Sequence, residues 1–398
     1  MKNKIEAKIV ADSLSPQGHR ITTFLLTYPR FIHSELMTHR MFSRNSASSR
    51  AIPFEKMVKM VEEDPFIPIA WQKDHKGMQG VEYITDPVKI DDCVGTWLLA
   101  RNKATREAKY LNNLHGVTKQ LCNRLLEPFM WHTVLVTATE WKNFFELRCP
   151  KYELSYYPLD RPEALEPTEI SFRSKKDYNN FILKLNWTSF QDEQEWYRIN
   201  TSQAEIHIQA LAEAMWDEYN QSKPKQLESG QWHIPFGDKM DITTKSKIVS
   251  LENNRIIKEY DNDFSITIPS IDLRDLIEPL KVKIATARCA RLSYMTFDGE
   301  IDYQKDIELH DRLLASHHMS PFEHCAKVMT DKEYYSFVKG VIPTQIDEFG
   351  ITNLEMMPFS SGHPIVGFTG LNATNGDKYG WCDNFKGFIS YRYLIENN

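Results

Sequence analysis

The pattern of apolar and polar side chains near the N terminus predicts a β-hairpin followed by a helix. Residues 4–11 alternate roughly between apolar and polar, residues 15–18 read Ser-Pro-Gln-Gly, and residues 20–27 form a second strand-like run. A break of this composition between two such runs is typical of a turn. Pro29 suits the first turn of a helix, so Glu35 and His39, four residues apart, would lie on one helix face.

The rest of the chain predicts further helices and another strand. Helical patterns cover residues 54–63, 91–113, 116–128, 137–148, 203–219, 302–317 and 384–397, and residues 133–136 are strand-like. In the helix at 116–128, Leu121, Leu125 and Leu126 should face the core. We therefore predict the α+β class, with a mixed or antiparallel sheet surrounded by helices.

Two long stretches interrupt these regular patterns. Residues 151–200 are rich in Tyr, Trp and charged side chains without a clean period. Residues 223–278 mix Pro, Gly and charges with short β-rich pieces such as 264–268. We interpret both as insertions, the second containing a hairpin, in a single domain that covers residues 1–398.

Composition and charge narrow the kind of partner. The chain has 398 residues, of which 41% are hydrophobic and 26% charged, as in an ordinary soluble globular protein with a large core. Its net charge of −6 argues against a surface for nucleic acid polymers. Any basic site is therefore local, and suits one nucleotide better than a strand.

The cysteines and the hydropathy pattern bear on compartment. The six cysteines are far apart and form no C-x-x-C pair, so they indicate reduced thiols and no metal site. No signal peptide is visible, and no apolar run approaches the ~20 residues that a membrane span needs. We expect a cytoplasmic protein that does not bind membranes.

The chemistry is concentrated in the stretch from Ser34 to Pro53. After His39 and Arg40, this stretch supplies short hydroxyls and guanidinium groups that could hold an anion such as phosphate. These residues are Ser43, Arg44, Ser46, Ser48, Ser49 and Arg50. A solvated loop rich in Ser and Arg explains the same composition without a ligand.

Two other stretches also have a plain structural explanation. Residues 137–148 form an amphipathic pattern in which Asn143 and Arg148 could point to a cavity. Residues 320–323 have the form of a helix capping box, with Ser320 as N-cap and Glu323 at the third position. A helix start needs no ligand to account for such residues.

Taken together, these blocks resemble the flavin-dependent thymidylate synthases. Thr38-His39-Arg40, followed after seven residues by Ser48, resembles the signature of that family, with Thr38 where the family has Arg. Residues 143–148 with 203–206 resemble its second signature, and residues 290–294 with 318–324 its flavin-contacting block. The last block usually comes first in the family, so the chain resembles a circular permutant with insertions, an arrangement that can preserve a fold.

The resemblance implies an enzyme that methylates dUMP to dTMP, with methylenetetrahydrofolate as one-carbon donor and NADPH as reductant. It also implies a flavin-dependent thymidylate synthase-like fold, and FAD bound in shared sites of a homotetramer. Arg148 would be the catalytic residue, against the uracil edge. The other nucleotide-binding residues would be Glu35, Ser48, Ser49, Arg50 and Arg124. Those at the flavin would be Thr38, His39, Arg40, Ser46, Thr137, Thr139, Asn143, Ser293, His318, Ser320 and Glu323.

Two alternatives remain open from the sequence. A flavin-dependent hydroxymethylase acting on dUMP or dCMP would use a similar site, because the chain departs from the family at Thr38, Glu35, Ser46, Thr137 and Thr201. A degenerate nucleotide-binding homologue would have kept the fold and lost the flavin. Bound flavin separates enzyme from degenerate homologue, and the mass of the product separates methyl from hydroxymethyl transfer.

Overall fold

The structure is a computed structural model, and it describes residues 3–76, 80, 82–157, 166–240, 247–252, 255–261, 273–294, 303–337 and 378–397. The strands are β1 (Glu6–Leu14), β2 (Arg20–Pro29), β3 (Ser43–Ser46), β4 (Trp131–Ala138), β5 (Tyr152–Tyr156), β6 (Thr168–Phe172), β7 (Lys225–Gln226), β8 (Trp232–His233), β9 (Lys247–Glu252), β10 (Arg255–Asp261), β11 (Ala326–Val328), β12 (Trp381–Cys382), β13 (Phe385–Lys386) and β14 (Phe388–Ser390). The α-helices are α1 (His33–Met37), α2 (Phe54–Glu63), α3 (Pro87–His115), α4 (Lys119–Cys122), α5 (Lys142–Arg148), α6 (Lys175–Lys184), α7 (Glu193–Ile199), α8 (Ile206–Gln221), α9 (Leu273–Ala290), α10 (Tyr303–Ala315), α11 (Asp331–Ser336) and α12 (Tyr391–Glu396). Short 3-10 helices cover Arg30–Ile32, Asn123–Phe129, Gly237–Lys239, Arg291–Tyr294 and Ser320–Glu323.

The largest described sheet has the strand order β3-β4-β2-β1-β7. All its pairs are antiparallel except β1 with β7, so the sheet is mixed. The predicted hairpin is confirmed as β1 and β2, and Gly18 supplies the positive φ of 82° that their turn requires. In the middle of the sheet, β4 pairs with both β2 and β3. The α+β class predicted from the sequence is therefore confirmed.

Helices cover both faces of this sheet. Val134 and Val136 of β4 point to one face, where they pack with the buried side of α8. Leu135, between them, points to the other face and packs against α9. Each fully buried side chain of this size contributes about 1.5–3 kcal/mol to folding. The sheet is therefore the middle layer of three, and it holds β3 and β4, whose neighbouring residues form the candidate site, in fixed positions.

The helix predicted to start at Pro29 is shorter than expected. Pro29 is the last residue of β2, with an extended backbone, and pairs with Trp131 of β4. A 3-10 turn follows, and α1 ends at Met37. His39 therefore lies beyond the helix, and the prediction that it shares a helix face with Glu35 is wrong.

The helix predicted at 116–128 is also replaced. The chain forms α4 and then a 3-10 helix that contains Pro128. Because three residues per turn replace 3.6, the buried face changes. Leu126 is buried as predicted, but Leu121 and Leu125 are 56% and 43% exposed.

Four further helices and one strand are confirmed, and two helices begin later than predicted. Helices are confirmed near residues 54–63, 91–113, 203–219 and 302–317 as α2, α3, α8 and α10, and β4 contains the strand predicted at 133–136. The helix predicted at 137–148 begins only at Lys142, because Thr137 and Ala138 extend β4. The helix predicted at 384–397 is confined to α12, since β13 and β14 precede it. Residues 264–268 lie outside the described residues, although the β9–β10 hairpin does occur in the 223–278 stretch.

The 151–200 stretch has an apolar cluster of its own. Tyr152, Tyr178, Ile182 and Trp196 are buried together, and β5 pairs with β6 beside them. The stretch is attached to α8 through Glu213, whose carboxylate accepts hydrogen bonds from the Tyr152 hydroxyl at 3.3 Å and the Lys175 backbone N–H at 2.6 Å. The stretch thus packs on an apolar cluster formed by its own residues, and hydrogen bonds to Glu213 attach it to α8.

Candidate functional site

Arg148 occupies the C-terminal end of α5 and reaches the segment after α1. Its Nε donates a hydrogen bond to His39 Nε2 at 3.2 Å, and its Nη2 donates to Thr38 Oγ1 at 3.5 Å. Its Nη1 is 4.0 Å from Glu35 Oε2, and both side chains are partly exposed. The structure thus brings together the residues predicted around Thr38 and Arg148. We call this set of groups the Arg148 contact.

His39 is held in a neutral form at this place. Its ring lies 4.9 Å from Phe144 and 5.7 Å from Phe42, centroid to centroid. Burial, with Arg148 and Arg44 nearby, lowers the pKa of His39 to about 4. Because Nε2 accepts a hydrogen bond from Arg148, the ring proton of neutral His39 is on Nδ1.

Glu35 adds a half-buried acidic group to the site. Burial raises its pKa, as does the neighbouring Glu205, while Arg148 and His207 oppose the shift. Glu205 in turn caps α8, accepting hydrogen bonds from the backbone N–H of His207 and Ile208. No role is predicted from the sequence for Glu205 or His207, although Glu205 lies in the 203–206 stretch that resembles part of the second signature.

Glu205 and His207 also join α8 to a distant loop. The His207 Nδ1 bonds Glu205, and its Nε2 accepts from the backbone N–H of Ile69 at 3.0 Å. The rings of Phe31 and Phe66 contact His207 edge-on. These contacts fix the wall of the site next to Glu35.

The Ser320 turn lies against β3. The Ser320 hydroxyl donates to Asn45 Oδ1 at 3.4 Å, and Asn45 Nδ2 donates to the Cys289 carbonyl at 2.5 Å. The predicted capping box is wrong, because Met319 is the N-cap and no side chain caps this 3-10 helix. Glu323 instead accepts from Arg392 Nη1 at 2.6 Å.

Arg44 links this turn to the His39 segment. Its Nη1 donates to the carbonyl oxygens of Met37 at 2.8 Å and His39 at 3.3 Å. Burial lowers the pKa of Arg44, and the nearby Glu323 opposes that shift. Within one chain, the Ser320 turn and the His39 segment are therefore neighbours on either side of Arg44.

The Ser/Arg loop, residues 46–52, is held by Asn123, for which the sequence predicts no role. Asn123 is fully buried, and its Nδ2 donates to the carbonyl oxygens of Ser49 at 2.7 Å and Ile52 at 3.0 Å. These two hydrogen bonds keep the backbone at Arg124 beside the loop. The Ser49 hydroxyl donates to Glu127 Oε1 at 2.7 Å.

Arg50 and Arg124 are both exposed, and neither forms an ion pair with a residue in the described ranges. Ser48 is half-buried, and its carbonyl accepts a hydrogen bond from the Ala51 N–H at 3.0 Å. We call Arg50, Arg124, Asn123 and the Ser/Arg loop together the Arg50–Arg124 surface. Its guanidinium groups are open to a ligand anion.

The remaining predicted residues differ in their exposure and contacts. Arg40, Asn143 and His318 are exposed, and Ser46 is half-buried on β3. Thr139 accepts a hydrogen bond from the backbone N–H of Lys386 at 3.0 Å. The side chain of Ser293 lies outside the described residues.

Thr137 lies in the core of the sheet, away from the exposed donors. It is fully buried, and its hydroxyl lies 2.8 Å from both Thr23 Oγ1 and His324 Nδ1. The same run of hydrogen bonds continues from Thr23 to His233 and from His233 to Ser13. In this arrangement Thr137 ties the Ser320 block to the sheet.

Comparisons with known proteins gave similarity to solved structures alone. No family model matches the chain, and no curated protein matches it. One similar structure is a UMP/dUMP methylase, PolB from Streptomyces cacaoi, bound with 5-Br UMP; it has a TM-score of 0.36 and 17% identity, and the match covers 55% of this chain and 90% of that chain. Another is the same methylase bound with 5-Br dUMP, with a TM-score of 0.36, 15% identity and coverage of 55% and 92%.

Two further features of the described residues concern membranes and metals. None of the described helices combines the length and the apolar character needed to cross a membrane. In the same ranges, no three His, Cys, Asp or Glu side chains are grouped so that they could hold a metal ion.

Proposed function

We propose that this protein is a flavin-dependent thymidylate synthase that methylates dUMP to dTMP. It would use methylenetetrahydrofolate as one-carbon donor, FAD as cofactor and NADPH as reductant, in the cytoplasm. The observation that carries the proposal is the Arg148 contact: the Arg148 guanidinium reaches Thr38 and His39 across more than a hundred positions of sequence. The Ser320 turn docks on β3 at Asn45, next to Arg44, whose guanidinium donates to the His39 carbonyl oxygen.

The Arg50–Arg124 surface would hold the phosphate of dUMP. Two exposed guanidinium groups without a carboxylate partner in the described residues can meet a phosphate bidentately. Asn123 fixes the backbone of the loop that carries Arg50, which lowers the entropy lost when the nucleotide binds. Ser48 would add a hydroxyl donor on this loop.

Arg148 would lie against the uracil edge. A guanidinium offers coplanar donors and a permanent charge, so it can stabilise negative charge that grows on the ring as the pyrimidine is activated. Neutral His39 accepts from Arg148 without cancelling its charge. Glu35 Oε2, at 4.0 Å from Nη1, is too distant for a short ion pair, so Nη1 remains available to substrate while Nε and Nη2 hold the group in place.

The exposed donors fit a flavin nucleotide. Arg40 and His318 could meet its diphosphate, and Asn143, Thr38 and His39 could meet the polar edge of its ring. When bound, the flavin supplies the hydride. Ser320 and Glu323 are engaged by Asn45 and Arg392, so they would shape this site through the turn. We propose that such sites are shared between subunits of a homotetramer.

The test is cofactor uptake followed by product analysis. The purified protein should be yellow, or should take up added FAD, and it should convert dUMP into a product with the mass of dTMP. A hydroxymethylated product would correct the one-carbon chemistry and keep the flavin. A colourless protein that takes up no added FAD would contradict the proposal.

A further inference from the structure

A second cleft lies behind the helix that carries Arg148. It has a volume of about 410 Å³ and is bounded by the start of α5, the end of α8 and Arg173 from the 151–200 stretch. Lys142, Phe145 and Glu146 of α5 line it, at the three- and four-residue spacing of one helix face. Phe144 and Arg148, on the opposite face, contact His39.

The walls of this cleft are aromatic and held in place. Trp141 and Phe145 are buried, and the Phe145 ring meets Trp216 edge-on at 5.2 Å between centroids. The Trp216 indole N–H donates to Asp177 Oδ2 at 2.6 Å, which fixes the plane of the indole. The guanidinium of Arg20 stacks on the Tyr219 ring at 3.6 Å. The cleft is thus formed before any ligand arrives.

Arg173 places a positive charge on one wall of this cleft. Its guanidinium carbon is 5.2 Å from the centre of the Trp216 ring, and the side chain is half-buried. In the part of the chain that the structure describes, Arg173 has no carboxylate within ion-pair distance. A partly desolvated guanidinium without a counterion attracts a planar anion, which it can meet with two parallel hydrogen bonds.

The rim limits the charge that a ligand can carry. Lys142 is exposed and 3.9 Å from Glu146, and Glu140 is exposed at the same edge. Two carboxylates at the rim disfavour a polyanion, while the half-buried Arg173 favours a single negative charge. The aromatic walls favour a flat ring.

We infer that this cleft binds a small planar aromatic carboxylate, with its ring against Trp216 and its carboxylate on Arg173. Thr139, which the family resemblance assigns to the flavin, also lines this cleft, but the cleft is separate from the Arg148 contact because it uses the opposite face of α5. It therefore goes beyond the proposed function and does not depend on it.

The experiment is a calorimetric titration of the full-length protein with naphthoate, and with naphthamide as the neutral analogue of the same shape. Naphthoate should bind saturably at one site, and naphthamide at least about tenfold more weakly, as expected for loss of a charge-assisted hydrogen bond. Arg173→Gln should weaken naphthoate by a similar factor. The matched control is Arg198→Gln, an exposed arginine of the same stretch that pairs with Glu195, and it should change nothing.

Three results would overturn the inference. They are the absence of saturable naphthoate binding, equal binding of naphthamide and naphthoate by the parent protein, and displacement of naphthoate by dUMP. The comparison of the two probes uses the parent protein alone, so it decides the matter even if Arg173→Gln fails to fold.

Discussion

The Arg148 contact and the Arg50–Arg124 surface both depend on arginine, but they place the guanidinium group in different environments. Arg148 is partly buried and already engaged by His39 and Thr38. Arg50 and Arg124 are exposed and have no ion-pair partner among the described residues. A preorganised guanidinium suits charge that develops during a reaction, whereas open guanidinium groups suit capture of a ligand that is already charged. The two regions should therefore separate turnover from affinity.

The largest expected effect is on affinity at the open surface. The double variant Arg50→Gln with Arg124→Gln should weaken dUMP binding by about 100-fold or more, because each lost charge-assisted hydrogen bond costs about 1.5–3 kcal/mol. Equilibrium binding of dUMP measures this loss. Arg106→Gln is the control, since Arg106 is exposed and paired with Glu107 on α3. Unchanged dUMP affinity in the double variant would remove this surface from the site.

The next effect is on turnover at the engaged arginine. Arg148→Lys should reduce the rate by about 10- to 100-fold, because an ammonium group cannot supply two coplanar donors. Flavin content and dUMP affinity should change little, which steady-state kinetics and absorbance can measure. Arg198→Lys serves as the control at an exposed arginine. If Arg148→Lys turns over like the parent, the assignment of Arg148 fails.

A smaller loss of dUMP affinity is expected when the loop that carries Arg50 is no longer held by Asn123. Asn123→Ala removes two buried hydrogen bonds, to Ser49 and Ile52, and should lower the free energy of unfolding by about 1–3 kcal/mol. The dUMP affinity should fall by less than in the double arginine variant, because the charges remain. Urea unfolding and dUMP binding measure the two effects. Asn113→Ala, at an exposed position of α3, should alter neither.

The smallest effect is a shift in a titration. The ring of His39 should titrate with a pKa near 4, and Arg148→Gln should move that pKa upward because one nearby positive charge is removed. Ring signals in NMR spectra report it. Since the folded pKa lies below the unfolded value, stability from neutral His39 is complete above about pH 6.5 and decreases as the pH falls toward 4. No movement in Arg148→Gln would mean that Arg148 does not act on His39.

The sequence predicted most of the regular elements because their patterns are local. Alternation identified β1 and β2, and the helical period identified α2 and α10. The Ser320 capping box failed because Asn45 and Arg392, distant in sequence, engage Ser320 and Glu323 instead. Thr330 and Glu333, a few residues later, do form a capping box.

The residues of the candidate site could likewise be predicted only in part from the sequence. Its residue types could be selected from sequence, since the Thr38 and Arg148 blocks each have a distinctive pattern. Asn123 could not, because its partners are backbone carbonyls more than seventy residues away. The half-burial that lowers the pKa of His39 also depends on Phe144, which comes from another element. Residue types can be read from the sequence, whereas hydrogen-bond partners and burial are set by the tertiary structure.

The most direct test of the proposed chemistry is a single turnover without oxygen. The protein is loaded with FAD, the flavin is reduced, and dUMP is added with methylenetetrahydrofolate. Our account predicts that the flavin is reoxidised only when dUMP is present, and that dTMP forms in the same amount. Reduced flavin that persists while dUMP stays unchanged would contradict it.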